Sequence, residues 1–457
     1  MKKAALLPSE IRAISGLSSL YAVRMLGLFM ILPVLSLYSH DLSHATPALI
    51  GLALGIYGLT QACLQIPFGM LSDRFGRKII IASGLLLFIV GSVVAACSSS
   101  IEGVIAGRAL QGSGAVAGAI MALLADHTRE EVRTTAMATI GMSIGIAFAI
   151  AMAAGPLVAR FSGLSGIFWI TACLATASLV VLWKLVPSAP PRAHHDVGLN
   201  GQQIKKVVSD INLLRLDYSI FSLHLILTAC FVAVPLKLKA LGIAPADHGM
   251  VYLPVMASAF VAMVPLIIIA EKYQKMRPIF IGTVISLVAV LLIMAELPNH
   301  SWWLLALLWL FFIAFNLMEA TLPSMISKIA PAGAKGTAMG LYSTSQFLGA
   351  SAGGMGGGLV ASYFGSDAVF LFCSLAAAIW LIAIWKMPAP RHLSSEIRAL
   401  SDTEAAAPEA TRQQLLSMPG VVEAFVVTEE KTAYLKVERA AFEAGTDSPS
   451  STSTATR

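Results

Sequence analysis

Gly69-Met70-Leu71-Ser72-Asp73-Arg74-Phe75-Gly76-Arg77-Lys78 lies between two long apolar runs, and its reading decides the fold. Hydrophobic helices on both sides make it a short hairpin at a membrane surface. Three cations and one carboxylate crowd into it, with glycines at both ends of the turn. Gly76 supplies a backbone freedom that residues with a side chain lack. Gly69 is expected to let the preceding helix pack tightly against a neighbour, and Asp73 to meet a helix N-terminus or an arginine. Basic residues that merely mark a cytoplasmic face would explain Arg74, Arg77 and Lys78. They would leave the spacing of Gly69, Asp73 and Gly76 unexplained.

The composition agrees with a membrane setting. The chain has 457 residues, 57% hydrophobic and 12% charged, with a mean hydropathy of +0.79; a soluble domain carries about twice that charged fraction. Apolar runs of roughly 20 residues, enough to cross a bilayer, recur near 13–38, 48–71, 78–98, 102–124, 137–160, 166–186, 215–237, 249–270, 277–297, 301–325, 337–362 and 366–386. We number these twelve runs spans 1 to 12. In hydrocarbon a backbone must satisfy its own hydrogen bonds, so each is expected to be a helix.

Lysine and arginine set the orientation. Lys2, Lys3, Arg12, Arg74, Arg77, Lys78, Arg129, Arg133, Lys184, Arg192, Lys205, Lys206, Arg215, Lys272, Lys275, Arg277, Lys328, Lys335, Lys386 and Arg391 fall on one side, against Arg160, Lys237 and Lys239 on the other. Both termini are therefore expected in the cytoplasm. The net charge of +6 reflects this bias and gives no support to nucleic-acid binding. Pro8, Glu10 and Arg12 interrupt any early apolar core, which argues against a cleavable signal. Cys63, Cys97, Cys173, Cys230 and Cys373 all fall within spans without paired spacing, as packing residues rather than a disulfide framework or a metal site. No cofactor is expected.

An internal repeat accompanies the six-plus-six topology. Phe29 and Pro33 match Phe231 and Pro235 at an offset of 202 residues, and Arg133–Met137 matches Lys335–Met339 at the same offset. The expected organisation is an N-terminal six-helix bundle (1–187), a linker (188–212), a C-terminal six-helix bundle (213–388), a ferredoxin-like segment (389–440) and a disordered Ser/Thr-rich tail (441–457). In the linker, Ile204, Val207, Val208 and Ile211 share a helix face opposite Lys205 and Lys206, as in a helix lying along the interface.

Charges inside a bilayer are costly and need a reason. Arg24 in span 1 and Arg108 in span 4 are the clear cases, the second within Gly107-Arg108-Ala109-Leu110-Gln111-Gly112. Glu319 is the only acidic residue well inside a span, with Asn316 and Pro323 on its face and Phe312 and Phe315 nearby. Burial disfavours an ionised carboxylate, so Glu319 is a proton-coupling candidate; a carboxylate reaching the interface or a fixed ion pair explains it equally well. His224 in span 7 shares a face with Thr228, Phe231 and Pro235, a position more often structural than a proton relay. On span 2, Tyr57, Gln61, Gln65 and Phe68 form one stripe; on span 11, Tyr342, Ser345, Gln346 and Gly349 form another. Polar groups interleaved with aromatics suit an amphiphilic solute in a mostly apolar cavity, and helix–helix hydrogen bonding is the ordinary alternative. Together with Asn316 these are the cavity candidates.

The decapeptide closely resembles the signature loop of the major facilitator superfamily, between its transmembrane helices 2 and 3. Gly107–Gly114 is similar to that superfamily's helix-4 arginine motif, and Gly155-Pro156 in span 5, with Gly145 upstream, partly resembles its antiporter motif. Val158 and Ala159 stand there in place of the paired glycines. The resemblance implies two pseudo-symmetric bundles of six transmembrane helices around a central site. It also implies a latch: Asp73 capping span 11 near Thr337–Gly340 and Arg77 pairing with Asp126, with Arg74, Arg129 and Arg133 close by. Arg108 is implied to influence the coupling carboxylate.

After Pro388 the composition becomes that of a soluble segment. Ala405–Met418 reads as a helix, Val421–Thr428 and Thr432–Val437 as strands, and Ile397–Leu400 as a possible earlier strand, the start of a βαββ unit. It is similar to a small domain appended to one bacterial member of that superfamily. Heavy-metal-associated domains have a related pattern, but no Cys follows Cys373, which excludes thiolate metal binding.

The expectation is therefore an all-α polytopic protein of a bacterial inner membrane with an incomplete α+β cytoplasmic tail. It would be a proton-coupled exporter of small amphiphilic molecules, monomeric in the lipid bilayer, with a tail able to bind a ligand or partner. A metabolite transporter and a non-transporting sensor that signals through its tail are the alternatives. An enzyme is disfavoured, since HExxH, a serine nucleophile motif and an intramembrane carboxylate pair are all missing.

Overall fold

The computed structural model describes residues 6–187, 201–298, 301–331, 334–388, 393–428 and 431–438. A helix lies over each expected span. Pro8–Phe29 forms span 1 and ends ahead of Pro33, the chain resuming as Leu35–Tyr38. Pro47–Phe75 and Arg77–Ala96 form spans 2 and 3, meeting at Gly76, whose φ of 96° only glycine adopts readily. Span 4 is broken into Ile101–Ser113 and Ala117–His127. Spans 5 and 6 follow one another in Glu130–Lys184 and turn at Gly163 (φ 62°, ψ −165°). Ile211–Ala240, His248–Lys272, Met276–Glu296, Trp303–Ile329, Lys335–Phe364 and Ala368–Ile384 complete the set. By length and apolarity alone, eight of the described helical stretches are able to cross a membrane, one of them the double-length Thr135–Lys184. Ala368–Ile384 is shorter but also apolar.

Successive spans alternate in direction, which gives the bundle two distinguishable ends. The Gly69–Lys78 turn marks one, the basic end, where Lys78 Nζ donates to the Val186 carbonyl (2.5 Å). At the opposite end Ser43 bridges Ser100, and His44 Nδ1 lies 3.0 Å from Glu102 Oε1. Phe161, Trp302, Trp303, Tyr363 and Phe364 are exposed at this opposite end. Such amphipathic rings favour a bilayer–water boundary.

The chain divides into two compact units: Met1–Gly198 with Asp217–Glu319 and Tyr342–Lys386, and Leu199–Leu216 with Ala320–Leu341 and Met387–Arg457. In the first, span 1 packs on the span 5–6 helix, span 3 on spans 4 and 6, span 2 on span 4, and span 9 on span 12. In the second, the tail forms an antiparallel sheet in the order β1 (Leu393–Ala399), β3 (Thr432–Glu438), β2 (Val421–Val427). Leu400, Leu415, Ala424, Ala433, Leu435 and Val437 make its core.

Here the sequence reading needs two corrections. The tail helix is not continuous from Ala405: it splits into Asp402–Ala406 and Pro408–Leu416, because a proline lacks the helical N–H and pushes the preceding residue out of helix. The first strand starts four residues before Ile397. Gly201–Ser209 is helical, with Val207 buried but Val208 and Ile211 exposed. The expected disordered tail (441–457) and the linker residues 188–200 lie outside the described residues.

Candidate functional site

Two buried polar groups occupy the interior of the first unit. The one on spans 1, 2 and 4 is cationic. Arg24 Nε donates to Tyr57 Oη (3.2 Å), and its Nη2 donates to Gln61 Oε1. Arg108 lies on the face of the same tyrosine ring, 4.8 Å from the centroid. Its Nε donates to the Ala53 carbonyl (3.3 Å) and its Nη1 to Gln111 Oε1 (3.0 Å), while Gln111 Nε2 donates to Ser92 Oγ (2.8 Å). Arg24 is 2% exposed and Arg108 fully buried, and neither has a carboxylate partner among the described residues. A guanidinium without a counter-ion is costly to bury. Neutral oxygens and a ring face hold these two in place.

The second group, on spans 7, 10 and 11, is acidic. Gln346 Nε2 donates to His224 Nε2 (2.9 Å) and to Glu319 Oε1 (3.2 Å). His224 Nδ1 faces the Ile220 carbonyl at 3.3 Å, so the neutral tautomer with its proton on Nδ1 fits both contacts. His224 Nε2 and Glu319 Oε2 are 3.8 Å apart, and the Glu319 side chain is 34% exposed. The buried Tyr21 phenol lies within electrostatic reach of both Arg24 and Glu319. Several polar atoms lack a hydrogen-bond partner among the described residues, namely Arg24 Nη1, Gln61 Nε2, Gln65 Oε1, Arg108 Nη2, Asn316 Nδ2, Glu319 Oε2 and Tyr342 Oη. Phe68 packs on the apolar core instead.

Toward the opposite end the interior is closed. An aromatic chain crosses it, from Phe29 to Phe148 (4.7 Å between centroids), on to Phe315 (5.7 Å) and Phe312 (6.4 Å), then to Phe231 (6.5 Å). Spans 2 and 11 touch through their backbones: a Cβ on Gly51 would stand 2.3 Å from the Gly354 carbonyl oxygen. Spans 5 and 8 do the same, with a Cβ on Gly249 2.5 Å from the Ala153 carbonyl oxygen. Toward the basic end these contacts thin out. Gly145 on span 5 would meet only the Phe260 ring at 3.5 Å, and Gly141, one turn on, meets nothing within 4 Å.

That gradient corrects one expectation. Gly69 meets nothing within 4 Å, so tight packing of span 2 belongs to Gly51 and its neighbours, where the two helices converge. Gly155 does pack closely, since a Cβ on it would stand 2.4 Å from the Met30 carbonyl oxygen of span 1, and the helix runs on through Pro156 to the turn at Gly163. At the hairpin, Arg77 Nε donates to Asp126 Oδ2 (3.0 Å), both side chains nearly buried, and Arg77 Nη2 lies 3.7 Å from the exposed Asp73. Arg74 stacks on Phe75. The side chain of Arg133 lies outside the described residues.

This arrangement has relatives. The Major Facilitator Superfamily profile matches residues 17–354 and 219–428. Over 432 residues, 94% of this chain and 95% of the relative, the sequence is 47% identical to the inner membrane transport protein YajR of Escherichia coli K12. The chain belongs to the Major Facilitator Superfamily. It is a multi-pass inner-membrane transporter, built to act on a small molecule within the lipid bilayer. More distantly, it is 24% identical over 389 residues to multidrug resistance protein 1 of Bacillus subtilis, covering 82% of this chain and 95% of that one. The fold also matches a bacterial homologue of the lysosomal transporter Spinster in an inward-facing, occupied conformation. That match has a TM-score of 0.67 and 14% identity, and covers 84% of this chain and 98% of that chain.

Three features escaped the sequence reading. Phe148, the hub of the aromatic chain, stands in a run of small apolar residues that gives it no distinction. In the sequence Glu10 only interrupts an apolar run. It is 2% exposed and accepts from the Arg129 backbone N–H (3.0 Å), Nε (2.9 Å) and Nη2 (3.1 Å), and from the Leu7 N–H (2.8 Å). The bond from the Arg129 side chain, above all, lowers its pKa to about 2. Asp217, near the start of span 7, is only 8% exposed. It stands at the edge of the 215–237 span, where the sequence alone does not single it out.

Proposed function

We propose that this transporter exports small amphiphilic molecules in exchange for protons, with the basic end in the cytoplasm. The observation that carries the proposal is the placement of opposite charges on the two halves. A fixed cationic group (Arg24, Arg108) sits on one, and a carboxylate beside a histidine (Glu319, His224) on the other; in this reading they border the solute chamber. In this reading the structure stands open to the cytoplasm. Glu319 holds a proton when the chamber faces outward and releases it when the chamber faces inward. Its ionised form gives a cationic solute a counter-charge, and its protonated form removes that counter-charge, so proton and solute alternate at one site. Gln346 holds His224 and Glu319 apart. A proton on His224 would turn the 3.8 Å separation into an ion pair, giving the acidic group two states that the solute and the proton bias differently. The aromatic chain above it suits an apolar body, in keeping with the relative named as a multidrug resistance protein.

The Arg77–Asp126 pair would act as the latch that breaks as the halves rock. No step requires an enzyme active site, a cofactor or a second copy of the chain. The test is accumulation of a lipophilic cation such as ethidium in cells that express the protein. Lower accumulation that an uncoupler restores supports export driven by protons; lower accumulation that the uncoupler leaves unchanged refutes it. The tail, which has its own apolar core, favours one second reading, a sensor. Deleting residues 392–457 should spare most of the flux of a transporter and abolish the output of a sensor.

A further inference from the structure

Asp217 belongs to no group described so far. It lies seven residues before His224 on span 7, two helical turns or about 10.5 Å toward the basic end, on the same face. It is 8% exposed, and its Oδ1 has no hydrogen-bond partner among the described residues. Across from it on span 11, Tyr342 is 4% exposed, and its hydroxyl is likewise unpartnered. The Tyr342 phenol lies within electrostatic reach of both Glu319 and Asp217. Tyr342 also stands one turn from Gln346, whose amide contacts His224 and Glu319. A buried carboxylate oxygen without a partner among the described residues is an expense a purely structural position would shed. Among the described residues the Tyr342 phenol of span 11 is the titratable group that reaches it, His224 and the Glu319 site lie farther along the bundle, and no described cation pairs with it.

We propose that Asp217 is a second proton station, carrying protons between the Glu319 site and the aqueous space at the basic end. The Glu319 carboxylic acid gives up its proton. Water and the Tyr342 hydroxyl, which accepts one proton and releases another, pass it on. The Asp217 carboxylate takes it, becomes the acid, and yields it to bulk water. This assignment rests on the coupling role of Glu319.

The experiment is difference infrared spectroscopy of the full-length protein in lipid, stepped between pH 8 and pH 5, which reads each carboxyl group that gains a proton and needs no solute. Glu319→Gln should remove one carboxyl band and Asp217→Asn a second. After a pH jump, Asp217→Asn should slow the Glu319 band about tenfold, and Asp217→Glu should restore the rate. The melting temperature of Asp217→Asn should equal or exceed that of wild type, because an unpartnered buried charge has been removed. An unchanged spectrum and rate in Asp217→Asn, or a fall in melting temperature that marks a structural acceptor, overturns the proposal. Loss of the Asp217 effects with the Glu319 band intact leaves the coupling reading standing. Absence of the Glu319 band overturns that reading and the station with it.

Discussion

The two halves of the repeat have kept a fold and divided the chemistry. Phe29 and Phe231 are repeat mates, and both enter the aromatic chain that closes the interior. Their companions differ: Pro33 lies past the end of the span 1 helix, whereas Pro235 sits inside the unbroken span 7 helix. The polar groups differ more. The first half buries two arginines among neutral acceptors, tied through Gln61, Gln111 and Ser92. The second carries carboxylates, Asp217 buried and Glu319 half-buried with an amide and a histidine beside it. A guanidinium stays charged at any physiological pH, so the first half offers a constant field. A carboxylate changes charge with its surroundings, so in the proposed mechanism the second half is the one that switches. On the proposed mechanism, asymmetry of this kind would turn a rocking bundle into a coupled one.

The contrast can be broken by removing the constant side. Arg108→Ala would strip the ring face of Tyr57 and leave Gln111 and the Ala53 carbonyl unmatched inside the bundle. We expect flux to fall by tenfold or more, with lower yield of folded protein, and flux assays on purified material will separate the two. Arg108→Lys keeps the charge without the planar fork and should recover part of the flux only.

The closed end offers a second test. Gly354→Leu places a side chain where span 2 backbone lies within van der Waals contact. It should push spans 2 and 11 apart and favour the state open at the opposite end. Labelling of a cysteine placed at Ser39, before and after the substitution, will report a several-fold gain in reactivity if so.

The smallest effect concerns Glu10, which fastens Arg129 to the start of span 1. Its pKa in the folded protein lies near 2, below the ordinary carboxylate range. The stabilisation it provides is therefore complete above about pH 4.5 and is lost only as pH falls through about 2. Stability should show no titration of this pair between pH 5.5 and 8. Glu10→Gln should lower stability by about 1 kcal/mol at neutral pH, measurable as a few degrees of melting temperature.

Much of this was legible in the sequence because membrane segments are long and unambiguous. Charges within them stand out, so Arg24, Arg108 and Glu319 were identified by cost alone, and the glycine in the hairpin by its turn. Other features depended on which faces meet. Gly69 and Gly51 look alike in sequence, yet only Gly51 lies where two helices converge. Asp217 sits near a span boundary, where a few residues of uncertainty decide between solvent and interior. Glu10 and Arg129 are 119 residues apart, and nothing local marks them as partners. Pro408 is the exception, a helix break plainly written in the sequence within a longer helix-favouring run.

The central claim is that the acidic half carries the proton. Purified protein in liposomes with an imposed pH gradient, assayed with ethidium, tests it most directly. Wild type should concentrate ethidium against its gradient, and Glu319→Gln should still equilibrate it while losing all response to pH. A Glu319→Gln variant that pumps uphill with unaltered proton dependence would contradict the account.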